Sequence, residues 1–103
     1  MLNKSNLICF VATNNPTKAH KFYEETLGLK FVSEDPFAFV FDANGTMIRI
    51  QKVDQVNPHS YTALGWKVVG IEKEVDELSK RGVKFIRYEG MNQDENGIWT
   101  SPN

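Results

Sequence analysis

Few residues in this chain are of a kind that does chemistry alone, and their settings remove most of them. Cys9 lies within the apolar stretch Leu7 to Ala12, where a small buried hydrophobe is a better reading than a nucleophile, which would need exposure and a neighbouring base. His20 falls on a helical segment beside its apolar face and His59 in a polar linker, so the two do not converge with a carboxylate on one metal. Asp94-Glu95 reads as a solvated acidic loop. There is no Ser/His/Asp set, no glycine-rich phosphate loop and no carboxylate pair at a definable site, so no catalytic set can be named and no cofactor is called for. Several cations fall on strand-like stretches, Arg49 and Lys67 among them. A cation enclosed by apolar side chains is costly unless an anion offsets it, and a ligand carboxylate or phenolate would do so.

Composition narrows the partners. A net charge of −1 with 24% charged residues and no basic face excludes the usual electrostatic footprint of nucleic-acid binding. The longest apolar run is short, so neither a signal peptide nor a membrane span is expected, and the chain reads as cytoplasmic. Its single cysteine, Cys9, excludes an internal disulfide and suits a reducing compartment. At 103 residues the chain makes one domain, 1–103.

The elements that must position these residues follow from spacing. Leu7 to Ala12 is apolar on both alternations, as in a central strand covered on both faces. Asn15 can cap a helix starting at Pro16, with Ala19, Phe22, Tyr23, Thr26 and Leu27 on its buried face and Gly28 as its stop. Leu29 to Ser33 reads as a strand, Glu34-Asp35-Pro36 as a turn and Phe37 to Asp42 as a strand with Phe37, Phe39 and Phe41 on one face. Asn44-Gly45 predicts a tight hairpin into Met47 to Val53, where Ile48 and Ile50 alternate with Met47, Arg49 and Gln51. After a polar linker the plan returns. Tyr61 to Val69 is a strand, and Ile71, Val75 and Leu78 mark a helix with acidic residues near its start and basic ones near its end. Val83 to Tyr88 and Ile98 to Thr100 are further strands.

The segment Gly28-Leu29-Lys30-Phe31-Val32 returns as Gly82-Val83-Lys84-Phe85-Ile86, each copy closing a helix and opening a strand. The pattern is therefore α+β, with tandem βαβββ modules over 6–53 and 60–103. The second module is one strand short. A last strand lying outside this sequence is expected, a natural seven-strand variant being the alternative. Two such modules, with Phe22-Tyr23 and Leu27-Gly28 after the first strand, the hairpin FVFDANGTMIRI and the late DENGIWTSPN, resemble the vicinal oxygen chelate superfamily of glyoxalase I, bleomycin resistance proteins and extradiol dioxygenases. The resemblance covers nearly the whole chain. It implies a U-shaped mixed sheet, an incomplete barrel with helices outside and a ligand cleft inside, and in many members a homodimer.

In metal-dependent members the ligands project into the cleft, and the matching positions here are Ile8, Arg49 and Ala63, with a fourth on the absent strand. An alkyl group, a guanidinium and a methyl do not hold a divalent cation, so no metal site is expected. If those positions mark the inward face, alternation adds Phe10, Met47, Gln51, Gly65 and Lys67 to it, and sends Leu7, Cys9, Val11, Ile48, Ile50, Leu64, Trp66 and Val68 toward the helices. Phe39, Phe41 and Trp99 are candidate aromatic walls, with core packing under the helices the equal alternative for the phenylalanine stripe. The candidate ligand-binding set is thus Phe10, Phe39, Phe41, Met47, Arg49, Gln51, Lys67 and Trp99. Arg49 and Lys67 would favour a planar or anionic small molecule, or else pair with a partner subunit or Glu89, or stand exposed at the rim. Three function classes stay open: a metal-free binding protein of the bleomycin-resistance kind, a metal-dependent lyase, isomerase or dioxygenase, and an interaction domain with a filled cleft.

Overall fold

The computed structural model describes residues 1–102, which fall into two units, 1–65 and 66–102. The first unit holds a complete βαβββ module: β1 (Ile8–Thr13), α1 (Pro16–Lys21), β2 (Lys30–Glu34), β3 (Ala38–Ala43) and β4 (Thr46–Lys52). The sheet order is β1-β4-β3-β2, with β1 parallel to β4 and the other pairs antiparallel, so the four-stranded mixed sheet is not closed into a barrel. A helical crossover is what allows β1 and β4 to run parallel, whereas β3 and β4 need only a tight turn. That turn is the expected one. Asn44 and Gly45 take φ of 52° and 93°, Ala43 pairs with Thr46, and the Gly45 N–H donates to Asp42 Oδ1 at 2.7 Å.

Helix α1 starts as its sequence directs, with Pro16 in the first turn and Asn15 Oδ1 accepting from the Lys18 N–H at 3.3 Å. Its continuation departs from the regular helix that the spacing predicts. Phe22–Thr26 widens to a π-turn in which the Leu27 N–H reaches the Phe22 carbonyl at 2.9 Å, and Gly28, at φ 74°, ends it. The face against the sheet carries Ala19, His20 and Tyr23, while Phe22, expected there, is 38% exposed.

The core of this unit is Phe39, Phe41, Ile48 and Ile50, with Cys9, Val11, Phe31 and Leu64 among the residues packed on it. Burying one such side chain contributes roughly 1.5–3 kcal/mol. Cys9 thus sits where a small hydrophobe belongs. Strand β1, however, is an edge strand of this sheet, as β2 is, and not a central one. Its second apolar alternation, Ile8 and Phe10, is open, and Leu7, expected under the helices, precedes the strand and is 71% exposed. Strand β2 carries a bulge at Val32, between the Phe31↔Phe41 and Ser33↔Val40 pairs. Two consecutive residues there oppose one step of β3, which puts Glu34 level with Phe39 on the helix side.

In the second unit α2 (Ile71–Lys80) carries the expected charges, Glu72 and Glu74 in its first turn and Lys80 in its last, and buries Val75. Ile71, expected to be buried, is 52% exposed. Gly82 at φ 92° closes the helix. Its N–H bonds to the Ser79 carbonyl and the Val83 N–H to the Leu78 carbonyl, both at 3.0 Å, a Schellman end. The stretches 61–69, 83–88 and 98–100, read as strands from sequence, form no ladder among the described residues, apart from one bridge, Gln93↔Trp99. Their alternation supplies strand propensity, but a strand also needs a hydrogen-bonded neighbour. Here a side chain takes that place. Gln93 accepts from the Tyr88 N–H at 2.8 Å and donates to the Gly97 and Ile86 carbonyls at 2.8 and 3.2 Å. Asp94, read as part of a solvated loop, accepts from the Asn96 and Ile98 N–H groups through Oδ1, both at 2.9 Å, and so fixes the turn. Trp66 and Val68, assigned to the helix-facing layer, are 49% and 39% exposed. Among the described residues no helix is long and apolar enough to cross a membrane.

Candidate functional site

The register of the first sheet lays its open face out in rows. Ile8, Met47 and Asp42 stand in one row, Phe10, Arg49 and Val40 in the next, and Ala12, Gln51 and Ala38 in the third. Strand alternation turns all nine away from the Phe41 and Ile48 core. Phe10, Ile8 and Met47 are 58%, 48% and 38% exposed, while Ala38 at the far corner is buried, so this is a largely open, mostly apolar face with one cation at its centre. The division of β1 and β4 into two faces is the one that alternation implied.

Phe39 and Phe41 take the other side. They are 3% and 0% exposed and form the centre of the core, so of the two readings of the phenylalanine stripe the structure takes core packing; Phe37, outside β3, is 78% exposed. His20 completes an aromatic cluster there, stacked on Phe31 with centroids 4.7 Å apart and edge-on to Phe39 and Phe41. Its Nε2 lies 3.6 Å from Glu24 Oε2. Burial pushes the Tyr23 phenol above its ordinary range, keeping it neutral. Lys67 and Trp99 belong to the second unit. Lys67 is exposed and outside any ladder, and Trp99 is about half exposed and bridges Gln93.

Arg49 has a partner that the sequence reading missed. Its Nη2 lies 3.6 Å from Asp35 Oδ2, an ion pair too long for a hydrogen bond. Asp35 is anchored by its own turn, since Oδ1 accepts from the Phe37 N–H at 2.7 Å and the Ala38 N–H at 2.9 Å. Those two bonds, and then the positive charges of Arg49 and Lys52, hold its carboxyl below the ordinary carboxylate range. Lys52 secures the same turn from the helix side. Its Nζ donates to Glu34 Oε2 at 2.6 Å and to the Asp35 carbonyl at 2.9 Å while lying 4.7 Å above the Phe39 ring. The signal that could have found Asp35 was Asp-Pro-Phe at the end of β2, where an aspartate caps the following N–H groups.

Hollows of about 360 Å³ lie elsewhere on the described residues. One lies beside α1 between Pro16, His20, Glu24 and Phe39, and another between α2 and the 83–97 segment, near Val75, Phe85, Arg87 and Glu95. In the first, Glu24 and Glu34 are already paired with His20 and Lys52. At Ile8, Arg49 and Ala63 the donor chemistry does not suit a metal, since none of the three offers a lone pair to a divalent cation. Among the described residues no group of three or more His, Cys, Asp or Glu side chains could hold one.

Residues 7–92 match the family described as Glyoxalase/Bleomycin resistance protein/Dioxygenase superfamily. Among solved structures the chain is similar to a glyoxalase/bleomycin resistance protein/dioxygenase from Alicyclobacillus acidocaldarius, at 16% identity and a TM-score of 0.65 over 87% of this chain and 76% of that one. It is also similar to a glyoxalase family protein from Enterococcus faecalis, at 22% identity and a TM-score of 0.62 over 92% and 83%. A lactoylglutathione lyase from Agrobacterium tumefaciens matches at 19% identity and a TM-score of 0.51 over 76% and 67%. Likeness at these identities speaks for the fold. No curated protein matches the chain.

Proposed function

Because the chain belongs to the glyoxalase/bleomycin resistance protein/dioxygenase superfamily, we propose that it is a metal-free binding protein that takes a small aromatic or anionic molecule on the open face of its first sheet. The observation that carries this is Arg49 in the middle row of an exposed apolar face, directly opposite Phe10, with Gln51, Ile8 and Met47 around it. A guanidinium supplies fixed N–H donors to a carboxylate, and the flanking aromatic gives a planar ligand a surface to lie on. The chemistry of Ile8 and Ala63 supports the metal-free part of the reading.

The reading extends to assembly and place. A homodimer in the cytoplasm accords with β1 as an edge strand, whose free backbone groups can pair with a second copy, and with a single cysteine. The test is a calorimetric titration with benzoate, a minimal aromatic anion, at neutral pH. Arg49→Ala, with folding checked by circular dichroism, weakens binding about tenfold or more if the guanidinium holds the carboxylate. Unchanged affinity sinks the proposal, and stoichiometric zinc, nickel, iron or manganese in the purified protein overturns its metal-free part. Sedimentation analysis decides the dimer.

A further inference from the structure

Arg49 does not meet a ligand unopposed, because a carboxylate of this chain already faces it. We infer that Asp35 is the specificity-determining residue of the open face: its carboxylate competes with an anionic ligand for Arg49 and lowers the affinity of the face for anions relative to neutral aromatics. This rests on the anion-binding reading above and goes beyond it, by assigning selectivity to a residue in the β2–β3 turn.

The two partners are unequally held. Asp35 is fixed through Oδ1 by the Phe37 and Ala38 N–H groups, and Lys52 ties down its carbonyl, so the carboxylate stays where it is. Arg49 is joined to it only through the 3.6 Å contact, and its side chain is 40% exposed. The guanidinium is therefore the member that moves. When it turns to a ligand, Asp35 keeps two backbone donors and is not left unpartnered. The contact consequently acts as a weak competitor and not as a lock, which matches the small worth of exposed ion pairs. An incoming anion also meets the charge of Asp35 directly, whereas a neutral ligand does not.

Asp35→Asn separates these effects, because an amide oxygen can accept the same two N–H bonds without the charge. Asp35→Ser, whose hydroxyl also caps such turns, is the second variant should the first fold poorly. Both are titrated with benzoate and with neutral benzamide, monitored by NMR. The expected result is a gain of about two- to fivefold in benzoate affinity, no gain for benzamide, and no gain for benzoate in the Asp35→Asn/Arg49→Ala double variant. If benzoate affinity is unchanged in both Asp35 variants while Arg49→Ala abolishes binding, this inference falls and the anion-binding reading stands. An equal gain for benzamide also overturns it. If Arg49→Ala itself binds benzoate as the native protein does, the underlying reading fails.

Discussion

Phe10 and Arg49 are direct partners across the parallel ladder of β1 and β4, an aromatic ring and a guanidinium side by side on the uncovered face of the sheet. Because Phe10 is 58% exposed, little of its area contributes to folding. Phe10→Ala is expected to change the unfolding free energy by less than about 0.5 kcal/mol. Binding of benzoate should nevertheless lose about 1 kcal/mol, roughly fivefold in Kd, through the missing ring contact. Urea denaturation and calorimetry on one sample read both numbers.

On the opposite side of the sheet the same kind of residue has the opposite effect. Phe41 is fully buried among Phe39, Ile48 and Ile50. Phe41→Ala should cost about 3–5 kcal/mol, and Ile50→Val about 0.5–1.5 kcal/mol. Phe37→Ala, at a residue 78% exposed, should be nearly silent. Equal midpoint shifts for Phe37 and Phe41 would place the core elsewhere.

Acid should expose the Asp35 turn. Hydrogen bonds from Phe37 and Ala38, then Arg49 and Lys52, hold this carboxyl below its ordinary 3.8. A folded value below the unfolded one means that the contribution is fully present above the unfolded value and is lost as pH falls through the folded one. Melting temperature should therefore decline as pH drops from about 4 downward. Asp35→Asn should flatten that part of the profile. Salt should weaken the Arg49 part of the effect and leave the backbone part.

Gln93 organises the second unit by standing in for a strand. Gln93→Ala removes its bonds to Tyr88, Ile86 and Gly97. Amide exchange at Tyr88 should accelerate in this variant, while the Gly82 and Val83 amides, held by the end of α2, keep their protection. Uniform acceleration across both would mean that the side chain supports the whole unit.

What was legible in the sequence is what local rules control. Asn15-Pro16, Gly28, Gly82 and Asn44-Gly45 each act within a few residues of themselves, and each appears where its chemistry required. The alternation of Met47, Arg49 and Gln51 with Ile48 and Ile50 was equally direct, because a hairpin strand with two different faces has no second reading. Phe39 and Phe41 were ambiguous for the converse reason: a period of two says that residues share a face and not which one. The Arg49–Asp35 pair was hidden because it joins a turn to a strand two ladder steps away, and no spacing rule spans that. The π-turn at Phe22–Thr26 adds winding to a face that the spacing places at 3.6 residues per turn, and His20, not Phe22, meets the Phe31 and Phe39 rings. The strands assigned to 61–69 and 83–88 failed because propensity belongs to one segment and a ladder to two.

The bulge at Val32 gives the outer strand a spare residue. With Val32 absorbed there, Glu34 meets Lys52 on the helix side and Asp35 is left for Arg49 on the other. A regular ladder of the same length would slip by one, bringing Glu34 round to the face of Arg49 and mixing the two pairs. A chain shortened by Val32 alone would keep both pairs with no bulge at all. Position 32 is therefore a slot at which this fold can change length without changing which charge each face presents.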